Sequence, residues 1–254
     1  MAAITISRPD LHNAFNEVVI SDITNAFREV SERGDVRAVV LRGEGKSFCA
    51  GADVNWMKRM VDYSFDQNIA DATDMANMLR AIRECPKPVI ARVHGAAIGG
   101  GVGLAAACDI AAAVKSAIFC LSEVKLGILP AVISPYVMEK IGAGPLRRYA
   151  LTAERFDATE AHRLGLISHV AEDEPALDRW IADTCKTLMG NGPEALAECK
   201  RVLADVQERR SWDAKQRLTV KRISRRRISA EGQDGLKSFL EKRPPNWTDA
   251  SGGA

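Results

Sequence analysis

The sequence predicts an α/β fold built on a parallel sheet and followed by an all-helical C-terminal region. In the first half, short β-branched apolar runs alternate with amphipathic segments of helix length, a pattern that requires crossover connections and parallel strand pairing. The stretch Val93 to Asp109 follows the apolar run Pro88 to Val93, breaks at glycines and continues rich in alanine, which reads as strand, tight turn and buried helix. From Pro175 the pattern is helical almost to the end, with Pro193 placed to open a helix and an amphipathic run from Glu194 to Glu208.

Taken in order, Ile4 to Ser7 reads as a strand, Asn16 to Ser31 as a helix and Val36 to Arg42 as a strand. A helix or loop lies between Val54 and Gln67, then a helix over Phe65 to Glu84 and a strand over Val89 to Val93. Beyond the glycine turn, short strands are expected at Ile110 to Val114 and Ile118 to Leu121, and Pro130, Pro135 and Pro145 divide the next stretch of chain into short helices. The expected organisation is an α/β core over residues 1–190, a helical subdomain over 191–248 and a disordered tail over 249–254.

Composition narrows the function classes. A chain of 254 residues that is 46% hydrophobic and 27% charged can bury a sizeable core. Its formal charge of +2 gives no case for nucleic acid or an acidic membrane as partner. The six cysteines are scattered without metal-like spacing, so reduced, buried thiols are expected, and with them a reducing compartment and no metal. The start, Met1-Ala2-Ala3-Ile4-Thr5-Ile6, lacks the basic and apolar regions of a secretory signal, and no run reaches the roughly 20 apolar residues of a membrane span. A soluble, cytoplasmic protein is the expectation.

The chemistry centres on two turns. At Ile98-Gly99-Gly100-Gly101 the chain exposes backbone N–H groups at the positive end of a helix, with no Cβ to keep a guest away. Glycines that merely allow helix and strand to pack closely explain this run about as well, and a phosphate site is a third reading. Against phosphate, the run lacks a P-loop's Lys-Ser/Thr ending and the dinucleotide spacing. A second strand and small-residue turn, Lys46 to Val54 after Ala38 to Arg42, shifts the balance. Two such turns on one scaffold can supply two N–H groups to one oxygen, the geometry of an oxyanion hole.

Phe48-Cys49-Ala50-Gly51-Ala52-Asp53, Gly99-Gly100-Gly101, Cys108-Asp109 and Ser122-Glu123-Val124-Lys125-Leu126-Gly127-Ile128-Leu129-Pro130 together resemble the crotonase (enoyl-CoA hydratase/isomerase) superfamily. The likeness runs from Ser7-Arg8-Pro9 and Asn13-Ala14-Phe15 to Phe239-Leu240-Glu241-Lys242-Arg243. It implies a crotonase-like spiral of ββα units with a helical C-terminal trimerisation region, an acyl-CoA substrate, no cofactor other than the coenzyme A of that substrate, and a homotrimer or homohexamer. In such proteins the first strand of an opening hairpin usually precedes the present start, so the chain is expected to begin late. The resemblance makes the N–H groups of Ala52 and Gly100 the thioester-polarising pair and Glu123 the acid–base, with Ala50, Asp53, Val54, Gly99 and Gly103 around the substrate. Phe239 and Lys242 match residues that reach the adenosine end of a CoA bound to a neighbouring subunit. Asp10, where the family carries lysine, cannot bind a phosphate.

Other features divide between readings. The stripe Trp56, Met57, Met60 and Tyr63 is core by pattern and acyl-pocket flank by resemblance. Lys221-Arg222 and Arg225-Arg226-Arg227 read first as the solvated face of a helix and second as an attraction to the phosphates of CoA. His94 reads as a packed strand-end residue, and His12, His162 and His169 fall in no motif.

One departure matters most. The second glutamate of the hydratases maps onto Gly103, which has no acid or base to offer. A glutamate at the position of Glu123 alone is typical of members that only move a double bond. However, Leu121 to Tyr136 and Ser229 to Gly235 resemble the bacterial hydratases of 3-methylglutaconyl-CoA and isohexenylglutaconyl-CoA. The order of readings is therefore a glutaconyl-type hydratase, then a simple enoyl-CoA hydratase or Δ3,Δ2-isomerase, then a decarboxylase, with a non-catalytic binding protein as a further alternative. Room beside Gly103 is expected to admit a branched substituent, and Lys58 or Arg59 to meet a substrate carboxylate.

Overall fold

The computed structural model describes residues 1–249. In chain order the elements are β1 (Ala2–Ile6), α1 (Glu17–Glu32), β2 (Val39–Gly43), α2 (Val54–Met60), α3 (Phe65–Glu84), β3 (Val89–Val93), β4 (Ala96–Ile98), α4 (Gly100–Ala107), β5 (Ile110–Val114) and β6 (Ile118–Cys120). Then come α5 (Ser134–Ile141), α6 (Ala143–Thr152), β7 (Phe156–Asp157), α7 (Ala158–Leu164), β8 (His169–Ala171), α8 (Glu174–Met189), α9 (Pro193–Glu208), α10 (Trp212–Ile228), α11 (Ala230–Glu241) and α12 (Asn246–Asp249). The tail expected over 249–254 lies, from residue 250 onward, outside the described residues.

The chain divides into two compact units, one of Met1–Cys85 with Val89–Ala182, the other of Pro86–Pro88 with the residues from Asp183 onward. The division falls inside α8, earlier than the 190/191 boundary read from the sequence.

In the first unit a five-stranded sheet of order β1-β2-β3-β5-β8 is parallel throughout. Its inner strands are buried on both faces, which is why β2 and β3 read as near-continuous apolar runs. The helix α1 starts at Asn16, whose side chain accepts the N–H of Val19, and buries Ile20, Ile23, Phe27 and Val30 along one stripe. A reciprocal Ser64–Gln67 cap starts α3.

A second, small sheet of order β4-β6-β7 pairs β4 with β6 in parallel and β6 with β7 antiparallel. It accounts for a difference from the sequence reading, which left Ala96 to Ile98 in the turn. After β3 the chain bends at Gly95 and enters β4 before α4 begins, and β5 is followed by β6 in the same way. The recurring unit is thus long strand, short strand, helix, as expected. No helix among the described residues is long and apolar enough to cross a membrane.

The second unit is helical. Arg222 of α10 is ion-paired with Glu198 and Asp205 at 2.7 and 2.6 Å, and Arg226 with Glu194 and Glu231 at 2.8 and 3.1 Å. Glu231 also accepts the N–H groups of Glu194 and Ala195, capping the positive end of α9. Two of the five basic residues of the cluster are therefore committed to holding this unit together.

Candidate active site

The two turns singled out in the sequence are joined through main chain. Cys49 N–H donates to Ala96 O and Ile98 N–H to Cys49 O, both at 3.0 Å, forming a parallel bridge between Cys49 and Ala97. Gly51 and Gly99 have φ of +92° and +53°, a region in which a side chain would be strained. On the other side, Phe15 N–H donates to Gly51 O and Asp53 N–H to Phe15 O, each at 2.9 Å. These bonds set Ala52 opposite Phe15, and Gly100 at the first position of α4. Neither the Ala52 nor the Gly100 N–H donates to a protein acceptor among the described residues. Gly100 lies so close over the Phe15 ring that a Cβ would come within 2.2 Å of Cζ.

Two further groups fix this arrangement. The Arg8 guanidinium pairs with Asp53 at 2.7 Å and donates to Ala14 O at 2.6 Å, holding the Asp53 carboxyl below the usual carboxylate range. Asp53 also caps α2, accepting from Asn55 N–H at 2.7 Å. The fully buried Asn13 donates to Glu44 O and Ser47 O at 2.7 and 2.6 Å and accepts from Arg8 N–H at 2.9 Å. Its φ of +57° lies in the left-handed region that asparagine tolerates better than most residues. Replacing Asn13 by alanine strands two carbonyls and one N–H, each worth on the order of 1 kcal/mol or more. Asn13→Ala is therefore expected to melt roughly 6–12 °C lower. An unchanged melting temperature would remove the residue from this role.

Glu123 opens the short 3-10 turn Glu123–Leu126, which Gly127 closes. Its Oε1 lies 3.1 Å from where a Cβ on Gly99 would stand, so the carboxyl rests against the residue that caps the start of α4 and precedes Gly100. Its Oε2 is buried with no hydrogen-bond partner. Burial pushes the carboxyl above its ordinary range, and the opposing pull comes from its own backbone N–H alone. A half-buried carboxyl with one oxygen unpartnered, close to free backbone donors, is suited to moving protons next to a developing oxyanion.

The expected room beside Gly103 is absent, and this corrects the sequence reading. A Cβ on Gly103 would meet Ile133 Cγ2 at 2.3 Å and its Cβ at 2.8 Å. Ile133, immediately before α5, is 1% exposed. The space left by the missing glutamate is filled, so the branch of a substrate does not enter there.

The sequence model of the enoyl-CoA hydratase/isomerase family matches residues 1–250. The chain belongs to this family. An enoyl-CoA hydratase from Shewanella pealeana has the same fold, with a TM-score of 0.92 and 42% identity over 96% of this chain and 92% of that one. AtuE of Pseudomonas aeruginosa gives a TM-score of 0.92 at 34% identity, over 97% and 95%. The enoyl-CoA hydratase ACTT6 of Alternaria alternata is 38% identical over 201 residues, which are 78% of this chain and 64% of that protein. The spiral of ββα units is thus the crotonase fold.

Within this member of the enoyl-CoA hydratase/isomerase family, the remaining expected residues separate. The Ala50 N–H is taken by His12 O at 3.0 Å, and Val54 is exposed at the start of α2. Phe239, 83% exposed, and Lys242, which caps α11 at φ +54°, belong to the helical unit. Arg59 is ion-paired with Glu17, whereas Lys58 is exposed on α2. Trp56 is buried and donates to Asp71 at 3.0 Å, a core role. His94 is buried with Nε2 2.9 Å from Gly45 O, which makes Nδ1 the acceptor for Arg92, so it offers no free base. All six cysteines are free thiols, and burial pushes that of Cys49 up to about 12. The sequence reading assigned no role to Asn13, Phe15 or Ile133. Asn13-Ala14-Phe15 is visible as a motif, while Ile133 lies within the stretch Leu121 to Tyr136 with nothing to single it out.

Proposed function

We propose that this protein adds water across the 2,3 double bond of an enoyl-CoA thioester, a 3-substituted glutaconyl-CoA, through an enolate held by the N–H groups of Ala52 and Gly100. The observation that carries the reading is the half-buried Glu123 carboxyl, its Oε2 without a hydrogen-bond partner, against Gly99 in the turn that presents Gly100. Glu123 takes a proton from water as the oxygen bonds to C3, and the electrons of the double bond move through C2 to the thioester oxygen. Glu123 then returns the proton to C2 as the enolate collapses, so that one water is added and the carboxylate is regenerated. With Ile133 against Gly103, no second protein acid holds the water at that position. The carboxylate that a glutaconyl substrate carries near C3 serves instead, with Lys58 as its cationic partner. The reaction uses no cofactor, coenzyme A being part of the substrate.

The same solitary carboxylate supports a second reading, Δ3,Δ2-isomerisation, in which Glu123 takes a proton from C2 and returns it to C4. A turnover panel of crotonyl-CoA, 3-methylglutaconyl-CoA, isohexenylglutaconyl-CoA and a 3-enoyl-CoA separates the two. Faster hydration of one of the glutaconyl substrates than of crotonyl-CoA is expected. Equal or faster hydration of crotonyl-CoA would remove the glutaconyl assignment, and double-bond migration without hydration would replace the hydratase with the isomerase.

Assembly into trimers, or hexamers of two trimers, belongs to the same proposal. Exposed Leu203, Trp212, Ile228, Phe239 and Leu240 on the helical unit support it, since so much bare apolar surface is unusual on a monomer. In that assembly Phe239 and Lys242 meet the adenosine end of CoA held by a neighbouring subunit. The free thiols support a reducing, cytoplasmic setting.

A further inference from the structure

Gly99 caps the start of α4 and Gly103 lies one turn into it, its N–H donating to Gly99 O at 3.3 Å. Glu123 stands over the first and Ile133 over the second. Ile133 is held in place from its own side, because its carbonyl accepts the N–H groups of Tyr136 and Val137 at 3.1 Å as α5 begins. Its branched side chain is stiff about χ1 and has no room to turn away from Gly103. The notch that Ile133 fills is thus one turn away from the residue against which Glu123 stands.

We propose that Ile133 is a positioning and specificity-determining residue of this site: seated in the notch at Gly103, it excludes a second acid, keeps water from the Glu123 carboxyl and forms the wall met by the substituent on the substrate's C3. The proposal rests on Glu123 being the acid–base. The groups facing Glu123 leave Ile133 this task. Gly99 before α4 and Gly103 within it carry no charge, and no charged side chain exerts a resolved pull on Glu123. Cys120 on β6 is the titratable neighbour that feels its charge.

Ile133→Ala should enlarge the wall and admit water. The ratio of kcat/KM for a 3-methyl-branched enoyl-CoA to that for its unbranched counterpart is expected to rise about tenfold or more, the scale on which an apolar pocket distinguishes small groups. The acidic limb of the kcat/KM profile should move to lower pH as the Glu123 carboxyl is hydrated. Ile133→Val, which stays β-branched, should change both in the same direction by less, and it serves as the reading if the alanine variant fails to fold. Gly103→Glu alone should lower the melting temperature sharply, and adding Ile133→Gly should restore it.

The controls separate the two ideas. If Glu123→Gln keeps near-full turnover, the acid–base reading fails, and this proposal with it. If Glu123→Gln is inactive, yet the Ile133 variants leave both the substrate ratio and the acidic limb unmoved, Ile133 is only core and this proposal alone is overturned. A stable Gly103→Glu protein with Ile133 intact would also overturn it.

Discussion

Glu123→Gln is expected to lower turnover by about 100- to 10,000-fold while raising the melting temperature near neutral pH. The loss of rate follows from removing the group placed to move protons beside the Gly100 turn, by a change that is nearly isosteric. The gain in stability follows from its burial. The folded chain holds the Glu123 proton more tightly than the unfolded chain does, because burial raises the carboxyl. The corresponding stability is fully present below the ordinary glutamate range and is lost as pH rises through the raised folded value. Above that value the wild type carries a half-buried charge that glutamine lacks. Calorimetry should show the variant melting higher at pH 7 and the difference closing as the medium is acidified. Near-full turnover with the preferred substrate would remove Glu123 from the mechanism, and a variant melting below the wild type at pH 7 would contradict the desolvated carboxylate.

The second large effect is expected at Gly100, where a main-chain donor can be tested by comparing two substitutions. Gly100→Ala and Gly100→Pro both push a Cβ toward the Phe15 ring, but only proline removes the N–H. Proline is compatible with the first position of a helix, where that N–H has no partner within the helix. Loss of one oxyanion donor costs about 3 kcal/mol, so the proline variant should turn over roughly 100- to 1,000-fold more slowly than the alanine variant. Circular dichroism and melting curves on both proteins confirm that the comparison is between folded chains. Equal rates in the two would mean that the Gly100 N–H does not touch the reacting oxygen.

The range of the interactions involved decides which parts of the fold and site are legible in the sequence. The helices α1 and α3 and the strands β2 and β3 announce themselves because their burial repeats along the chain, at Ile20, Ile23, Phe27 and Val30 or over Val39 to Leu41. The strand β4 does not, since its three residues are held by Cys49 and by β6, both distant in sequence. Glu123 and the two turns were legible as motifs. Their support was less so. Asn13 acts through a left-handed backbone and three bonds to loops that converge only in the fold, and Phe15 through a ring beneath a residue far along the chain. Ile133 was invisible for a simple reason: an isoleucine ahead of a helix is ordinary until the glycine opposite it is known. The same contact overturned the expected room at Gly103, because a missing side chain leaves a hole only where no neighbour closes it.

The bridges that tie Phe15, Gly51, Asp53, Cys49 and Ile98 together run entirely through peptide groups. Amino-acid replacement leaves the peptide groups themselves in place everywhere except at proline, so these bonds depend on side chains only through the glycines and the Asn13 and Arg8–Asp53 contacts that shape the turns. What stands at 103, 123 and 133 can then be exchanged without rebuilding these bridges. A lineage carrying this scaffold holds a fixed handle and interchangeable tools, and the smallest unit of innovation is a matched pair, such as a glycine and the isoleucine that fills its notch.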